Sequence, residues 1–214
     1  MRTRVSSLPF DDAPKALSDL YFDPRLLRLV ALVTSGGGDQ PRKLYHSADP
    51  LGCCSINVFR PSDYHSFHFD ESEFSTTLML QEADSGGLFE HTDPLRQDPN
   101  EDLAAQAVAH TIRTYDQERC PSTFAELDDA AINDPPPPLH TLDFHPGTLS
   151  ILAGSRSLHR VTECHGTKSR LVAVLTFAKE PGFCNSAAVQ RMFWGRSAQP
   201  MQDLATTTAE EATT

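Results

Sequence analysis

The stretch "DYHSFHFDESEFSTTLMLQ" (63–81) contains two β-prone segments with a short polar break between them. Residues 66–70 alternate between aromatic and polar side chains, and residues 74–82 also favour an extended backbone, so both segments predict strands. Side chains two positions apart on a strand point to the same face. His68 and Asp70 are therefore expected to project to one side of a sheet.

The rest of the chain predicts more short strands than helices. Strands are predicted at 53–61, at 139–144 and 148–152 around an "HPG" turn (145–147), and in a strand–loop–strand unit at 157–177. Gly86-Gly87 predicts a turn or bulge. Helices are predicted at 23–35, starting at Asp23 and Pro24, and at 100–117. This pattern indicates a mainly β fold, a sandwich or jelly roll with helices packed outside.

A length of 214 residues suits one domain with a sizeable core. We predict a single domain over 1–197, with its core at about 53–195 and an N-terminal helical region at about 15–35. Residues 198–214 are predicted to form a disordered tail, because the final stretch "ATTTAEEATT" (205–214) is of low complexity. The sequence contains no internal repeat.

The composition excludes several classes of partner. The chain has 29 acidic and 18 basic residues and a formal net charge of −11, which argues against binding to nucleic acid or to an anionic membrane. It has no apolar run long enough to span a membrane, and its N-terminal segment lacks the apolar core of a secretion signal. Five cysteines without a CxxC pair favour reduced thiols and a cytoplasmic protein, and disfavour a cysteine-bound zinc.

His68 and Asp70 become a candidate metal site only if a third ligand exists. Two histidines and one carboxylate with open positions form the facial triad typical of non-haem Fe(II) oxygenases. Alone, the pair could equally be two ordinary polar residues on a strand. His159, in "SRSLHRVTE" (155–163), is the candidate third ligand.

Arg170 follows His159 by eleven residues and opens the apolar strand "RLVAVLTF" (170–177). The alternation of a strand predicts one face formed by Arg170, Val172, Val174 and Thr176. A buried guanidinium needs an anionic partner, and its planar shape suits a carboxylate. A structural salt bridge to one of the acidic residues is the alternative.

Together, His68, Asp70, His159 and Arg170 resemble the Fe(II)/2-oxoglutarate-dependent oxygenase superfamily over about residues 53–195. The resemblance implies a double-stranded β-helix, the jelly roll of that superfamily. It implies that both histidines and Asp70 hold Fe(II), and that Arg170 binds the distal carboxylate of the cosubstrate 2-oxoglutarate, assisted by Asn57. The resemblance also implies O2 as the second cosubstrate.

A narrower resemblance comes from the segments "HSFHFDESEFSTTLMLQ" (65–81), "GGLFEH" (86–91), "HPGTLSILAGSRSLHRV" (145–161) and "FWG" (193–195). They are similar to hydroxylase relatives of the free-amino-acid halogenases. Halogenases of that branch have Gly in place of the carboxylate ligand, so Asp70 implies hydroxylation rather than halogenation. The resemblance also implies four substrate-binding residues: His65, Glu71, Thr176 and Trp194.

The expected function is therefore hydroxylation of an unactivated C–H of a small molecule, a free amino acid or a derivative, with release of succinate and CO2. One alternative is another oxygenase outcome: desaturation, ring formation or oxidation of a peptidyl side chain. The others are a non-catalytic jelly-roll binding protein and a cupin with another divalent metal. The sequence leaves the substrate and the oligomeric state open.

Overall fold

The computed structural model describes residues 3–36, 40–96, 105–117 and 135–202. Within these ranges the chain forms thirteen strands: β1 (Thr3–Arg4), β2 (Ser6–Leu8), β3 (Tyr45–His46), β4 (Cys54–Phe59), β5 (Tyr64–His68), β6 (Phe74–Gln81), β7 (Ser85–Gly86), β8 (Phe89–Pro94), β9 (Leu139–Thr141), β10 (Leu149–Leu152), β11 (Ser157–Val161), β12 (Cys164–His165) and β13 (Arg170–Ala178). The same ranges contain four α-helices: α1 (Lys15–Tyr21), α2 (Pro24–Val33), α3 (Ala105–Tyr115) and α4 (Ala187–Trp194).

Two antiparallel sheets form the body of the fold. The smaller sheet has the strand order β1-β5-β11-β8-β9, and the larger has the order β10-β6-β13-β4-β2 with β3 paired to the end of β13. Strands that follow one another in sequence repeatedly belong to different sheets, as β5 and β6 do. This arrangement is a jelly roll, so the predicted fold class is confirmed.

β13 lies between β6 and β4, and its two faces differ as predicted. Ala173, Leu175 and Phe177 are fully buried in the main core, which the helices α1 and α2 cover from outside. The alternate residues of β13 line a cavity between the two sheets. The strand therefore carries the core on one face and the candidate site on the other.

The N-terminal helices are fixed to the larger sheet by packing and by one buried hydroxyl. Asp23 caps α2, accepting a hydrogen bond from the Arg25 amide at 2.8 Å, and Pro24 occupies the first helical position as predicted. The hydroxyl of Tyr21 donates to the carbonyl of Thr176 at 2.7 Å. This contact ties α1 directly to the strand that lines the cavity.

Strands are present on both sides of the "HPG" turn, as predicted, and they belong to different sheets. β9 pairs with β8 in the smaller sheet, whereas β10 pairs with β6 in the larger one, so the turn connects two sheets rather than a hairpin. The predicted helix at 100–117 is present as α3, and its first residues lie outside the described ones.

The beginning of the predicted tail packs against the domain. The amide of Met201 donates to the carbonyl of Ala48 at 2.8 Å, and the side chain of Met201 contacts the main core. Residues 203–214 lie outside the described ranges. The single-domain boundary stays a prediction.

Candidate active site

His68 and His159 lie opposite each other on the neighbouring strands β5 and β11. Their ring centroids are 4.1 Å apart, and Asp70 follows β5 in the adjoining loop. The Asp70 Oδ1 atom lies 3.5 Å from the Nε2 atom of each histidine. One ligand atom from each residue falls within 4.8 Å of the others, so the three side chains converge on a point that could hold a metal ion.

Both histidines are oriented by a backbone carbonyl two residues earlier. The Nδ1 atom of His68 is 2.8 Å from the carbonyl oxygen of Ser66, and the Nδ1 atom of His159 is 2.9 Å from that of Ser157. A neutral imidazole that donates through Nδ1 keeps a lone pair on Nε2. The strand backbone therefore presents both Nε2 atoms as metal ligands.

The electrostatics of the triad suit a divalent cation. Burial lowers the pKa of His68, an effect that the nearby His159 reinforces. Burial alone would raise the pKa of Asp70, but interactions with both imidazoles hold it well below its usual range. Burial likewise opposes a charge on His159, whose pKa is nevertheless raised by the carboxylate of Asp70. The site thus concentrates an anionic carboxylate between two nitrogen ligands.

Arg170 is the second polar feature of the cavity. Arg170 is only 2% exposed. Its guanidinium carbon lies 5.1 Å from the ring centroid of Phe59 and 5.8 Å from that of Phe144. Its Nε atom is buried and has no hydrogen-bond partner. Burial lowers the pKa of Arg170 to about 10, which leaves the group charged at neutral pH. Among the described residues no carboxylate pairs with it, so the alternative of a structural salt bridge is not supported there.

One cavity of about 420 Å³ joins the triad to Arg170. Asn57 lines it from β4, where alternation also turns Ser55 and Phe59 to the cavity. The wall contains all nine residues that the sequence singled out: Asn57, His65, His68, Asp70, Glu71, His159, Arg170, Thr176 and Trp194. The cavity therefore combines three side chains that could hold a metal ion with a buried arginine that has no carboxylate partner among the described residues.

Solved structures with a similar architecture exist. The non-haem α-ketoglutarate-dependent carbocyclase SnoK from nogalamycin biosynthesis matches with a TM-score of 0.52 at 11% identity, over 94% of this chain and 74% of its own. The epimerase SnoN from the same biosynthesis matches with a TM-score of 0.51 at 15% identity, over 91% and 71%. The chain has the fold of the Fe(II)/2-oxoglutarate-dependent oxygenases.

Other comparisons are weaker. A 2OG-Fe(II) oxygenase family oxidoreductase from Burkholderia pseudomallei matches with a TM-score of 0.48 at 16% identity, over 80% of this chain. The chain spans 61% of the length of that protein. The sequence matches no protein-family model, and a search of curated proteins found no match. The narrower resemblance to hydroxylase relatives of amino-acid halogenases stays a prediction.

The four predicted substrate-binding residues differ in whether their polar atoms already have hydrogen-bond partners. His65 is buried, stacks on His68 with ring centroids 3.7 Å apart, and has an Nε2 atom without a hydrogen-bond partner. Trp194 likewise has a buried Nε1 atom without a partner. The hydroxyl of Thr176 donates to the carbonyl of Gly52 at 3.0 Å. His65 and Trp194 therefore offer free polar atoms, whereas the Thr176 hydroxyl is already bonded.

Glu71 has a structural partner that the sequence did not indicate. Its carboxylate accepts hydrogen bonds from the amide and from the hydroxyl of Ser186, both at 2.7 Å. Ser186 is the N-cap of α4, which carries Phe193 and Trp194 into the cavity wall. The residue after the candidate ligand Asp70 thus anchors a helix that lines the cavity.

Two residues that hold Asp70 were also missed. Ser75 donates a short hydrogen bond to Asp70 Oδ2, and the carbonyl of Gly154 accepts from the Asp70 amide at 3.0 Å. Ser75 could have been suspected, since it opens the strand after the metal motif. Nothing in the sequence around Gly154 indicates a contact with a residue so distant in the chain.

None of the described helices is both long enough and apolar enough to cross a membrane.

Proposed function

We propose that this protein is an Fe(II)/2-oxoglutarate-dependent oxygenase that hydroxylates an unactivated C–H of a small molecule. The observation that carries the proposal is the convergence of the triad and an unpaired, buried arginine on one cavity. A metal triad alone would fit many enzymes. The buried guanidinium adds a specific demand for a carboxylate ligand, and 2-oxoglutarate meets that demand.

The residues present fit both groups. Two imidazole nitrogens and a carboxylate oxygen form the donor set expected for Fe(II), and His68, Asp70 and His159 would hold it. Arg170 would pair with the distal carboxylate of 2-oxoglutarate, with the Asn57 amide on the same cavity wall. Iron, O2 and 2-oxoglutarate together supply the oxidant, with succinate and CO2 as coproducts.

The chain itself contributes orientation and exclusion of water. The carbonyls of Ser66 and Ser157 fix the two imidazoles, so the ligand atoms are arranged before a metal binds. The rings of Phe59 and Phe144 enclose Arg170, which keeps water from competing for its guanidinium. With a metal bound, Asp70 would hold it where the halogenases that the sequence resembles have Gly, which supports hydroxylation.

We further propose a free amino acid or a derivative as the substrate. His65 and Trp194 supply unpartnered polar atoms, and Glu71 supplies a carboxylate held in place by Ser186. A fixed carboxylate at the mouth suits an ammonium group. The names of SnoN and SnoK refer to epimerisation and ring closure, so product analysis has to establish which oxidation occurs here.

Anaerobic addition of Fe(II) and 2-oxoglutarate tests the proposal. We expect the weak visible charge-transfer band of a chelated complex, which Asp70→Ala and Arg170→Met should each weaken strongly. Arg160→Met is the matched control, because Arg160 is bonded to Glu90 at 2.6 Å and lies outside this cavity. A wild-type protein without the band would refute the proposal and favour a non-catalytic binding protein.

Succinate release addresses the substrate separately. We expect at least one free amino acid or N-substituted derivative to stimulate it in a screen, with a hydroxylated product identified by mass spectrometry. Binding of Fe(II) and 2-oxoglutarate without stimulation by any of these compounds would refute the amino-acid substrate. A peptide that stimulated turnover would then support the peptidyl alternative.

A further inference from the structure

The two oxygens of the Asp70 carboxylate have different surroundings. Oδ1 faces the histidines, 3.5 Å from the Nε2 atom of each. Oδ2 accepts a hydrogen bond from the hydroxyl of Ser75. The hydroxyl of Ser75 is in turn 3.2 Å from that of Ser72, and both serines are buried. The carboxylate therefore has one oxygen for a metal and one for the protein.

Gly154 lies close to the same carboxylate oxygen, Oδ2. A Cβ atom at this position would overlap Asp70 Oδ2 and stand 2.9 Å from its Cγ atom. The carbonyl oxygen of the same glycine accepts a hydrogen bond from the Asp70 amide at 3.0 Å. Only glycine leaves room for the carboxylate while holding the Asp70 backbone. The loop between β10 and β11 thus contacts both the backbone and the side chain of Asp70.

We propose that Ser75 and Gly154 are positioning residues that present only Oδ1 of Asp70 to the metal. The inference rests on the proposed function. A carboxylate can bind a cation through one oxygen or through both. If Oδ2 were free, it could rotate toward the cation and occupy a position that the cosubstrate needs. The hydrogen bond from Ser75 and the wall formed by Gly154 oppose that rotation.

A purely structural role for Ser75 fits the contacts less well. A buried serine on a strand usually satisfies its hydroxyl with a nearby backbone carbonyl. Ser75 instead donates to a ligand carboxylate and lines the cavity from the start of β6. Charge-assisted hydrogen bonds of this kind are stronger than neutral ones, and partners of metal ligands commonly affect metal affinity.

Co(II) binding tests the inference without turnover. Co(II) stands in for Fe(II), calorimetry gives the metal affinity, and the visible spectrum reports the coordination of the ion. We expect Ser75→Ala to weaken Co(II) binding about tenfold, to change the spectrum, and to weaken 2-oxoglutarate binding to the Co(II) form about tenfold. Ser75→Thr should restore all three, because it keeps the hydroxyl. Gly154→Ala should act in the same direction as Ser75→Ala.

Thr111→Val is the matched control. Thr111 is a fully buried residue whose hydroxyl donates to the Ala107 carbonyl at 2.8 Å, away from the cavity. It should lower the melting temperature without changing the spectrum or either affinity. If Ser75→Ala behaved like Thr111→Val, the inference would be overturned while the proposed function stood. If the wild type bound neither Co(II) nor 2-oxoglutarate, the proposed function itself would fail.

Discussion

Replacing Arg170 by methionine should have opposite effects on folding and on cosubstrate binding. The guanidinium is buried beneath two aromatic rings, and its Nε atom has no hydrogen-bond partner. Burial lowers the pKa of this group to about 10, because the charged form is disfavoured away from water. Compared with the ordinary pKa of arginine, the drop corresponds to about 3 kcal/mol.

Methionine fills much of the same volume without a charge. We therefore expect Arg170→Met to raise the free energy of unfolding of the metal-free protein by about 1–3 kcal/mol, part of the cost being lost to imperfect packing. For a chain of this size, each kcal/mol raises the melting temperature by about 2–4 °C. The affinity for 2-oxoglutarate should fall at least about 30-fold, since losing one partner of a buried ion pair costs about 2–5 kcal/mol.

Urea denaturation of the metal-free protein and titration of 2-oxoglutarate into the anaerobic Fe(II) form measure the two effects. Arg160→Met is the contrasting control. Its guanidinium bonds Glu90 and the Tyr115 carbonyl, so its loss should destabilise the fold and leave cosubstrate binding unchanged. An Arg170→Met protein that was less stable than the wild type, or that bound 2-oxoglutarate equally well, would refute the reasoning.

Three further predictions use other parts of the chain. Asp70→Gly should lose most hydroxylation and metal affinity, measured by product formation and calorimetry; undiminished hydroxylation would exclude Asp70 as a ligand. Gly52→Ala should shift the fluorescence of Trp194, the single tryptophan, because the new Cβ would lie 2.7 Å from its ring; an unchanged spectrum would contradict this placement. His145 has a raised pKa through its contact with Glu82 and the charge of Asp143, so its contribution to stability is present below the unfolded-state pKa and is lost as pH rises through the folded-state value. Urea denaturation of wild type and His145→Gln should therefore differ most near pH 6 and converge at alkaline pH, and a difference that grew with pH would contradict the sign.

Local patterns in the sequence were sufficient to predict much of the fold and part of the triad. Strand alternation placed Arg170 and Val172 on the cavity face and Ala173 on the core face, as the structure has them. The helix N-cap at Asp23 could be predicted equally well, because capping depends on residues that are close in sequence. The link between His68 and His159 came from family resemblance, since strand pairing across the fold has no local signal.

What the sequence could not indicate depends on contacts between distant segments. The turn after Phe144 has the same local chemistry whether it forms a hairpin or connects two sheets, and here it connects sheets. The contact of Gly154 with Asp70 and that of Ser186 with Glu71 join residues with no common pattern. Burial of Arg170 was predicted, but the absence of a carboxylate partner among the described residues could only be seen in three dimensions.

The adjacency of Asp70 and Glu71 has a consequence for redesign of the site. One peptide unit joins the proposed metal ligand Asp70 to the residue that holds the start of α4 through Ser186. Shortening Asp70 to open a halide position would remove the hydrogen bond that its side chain accepts from Ser75, and with it one of the contacts that hold this segment next to Glu71. We therefore expect a substitution of Asp70 to increase the mobility of Glu71 and α4 as well. Selectivity for the substrate would then have to be restored by compensating substitutions on α4.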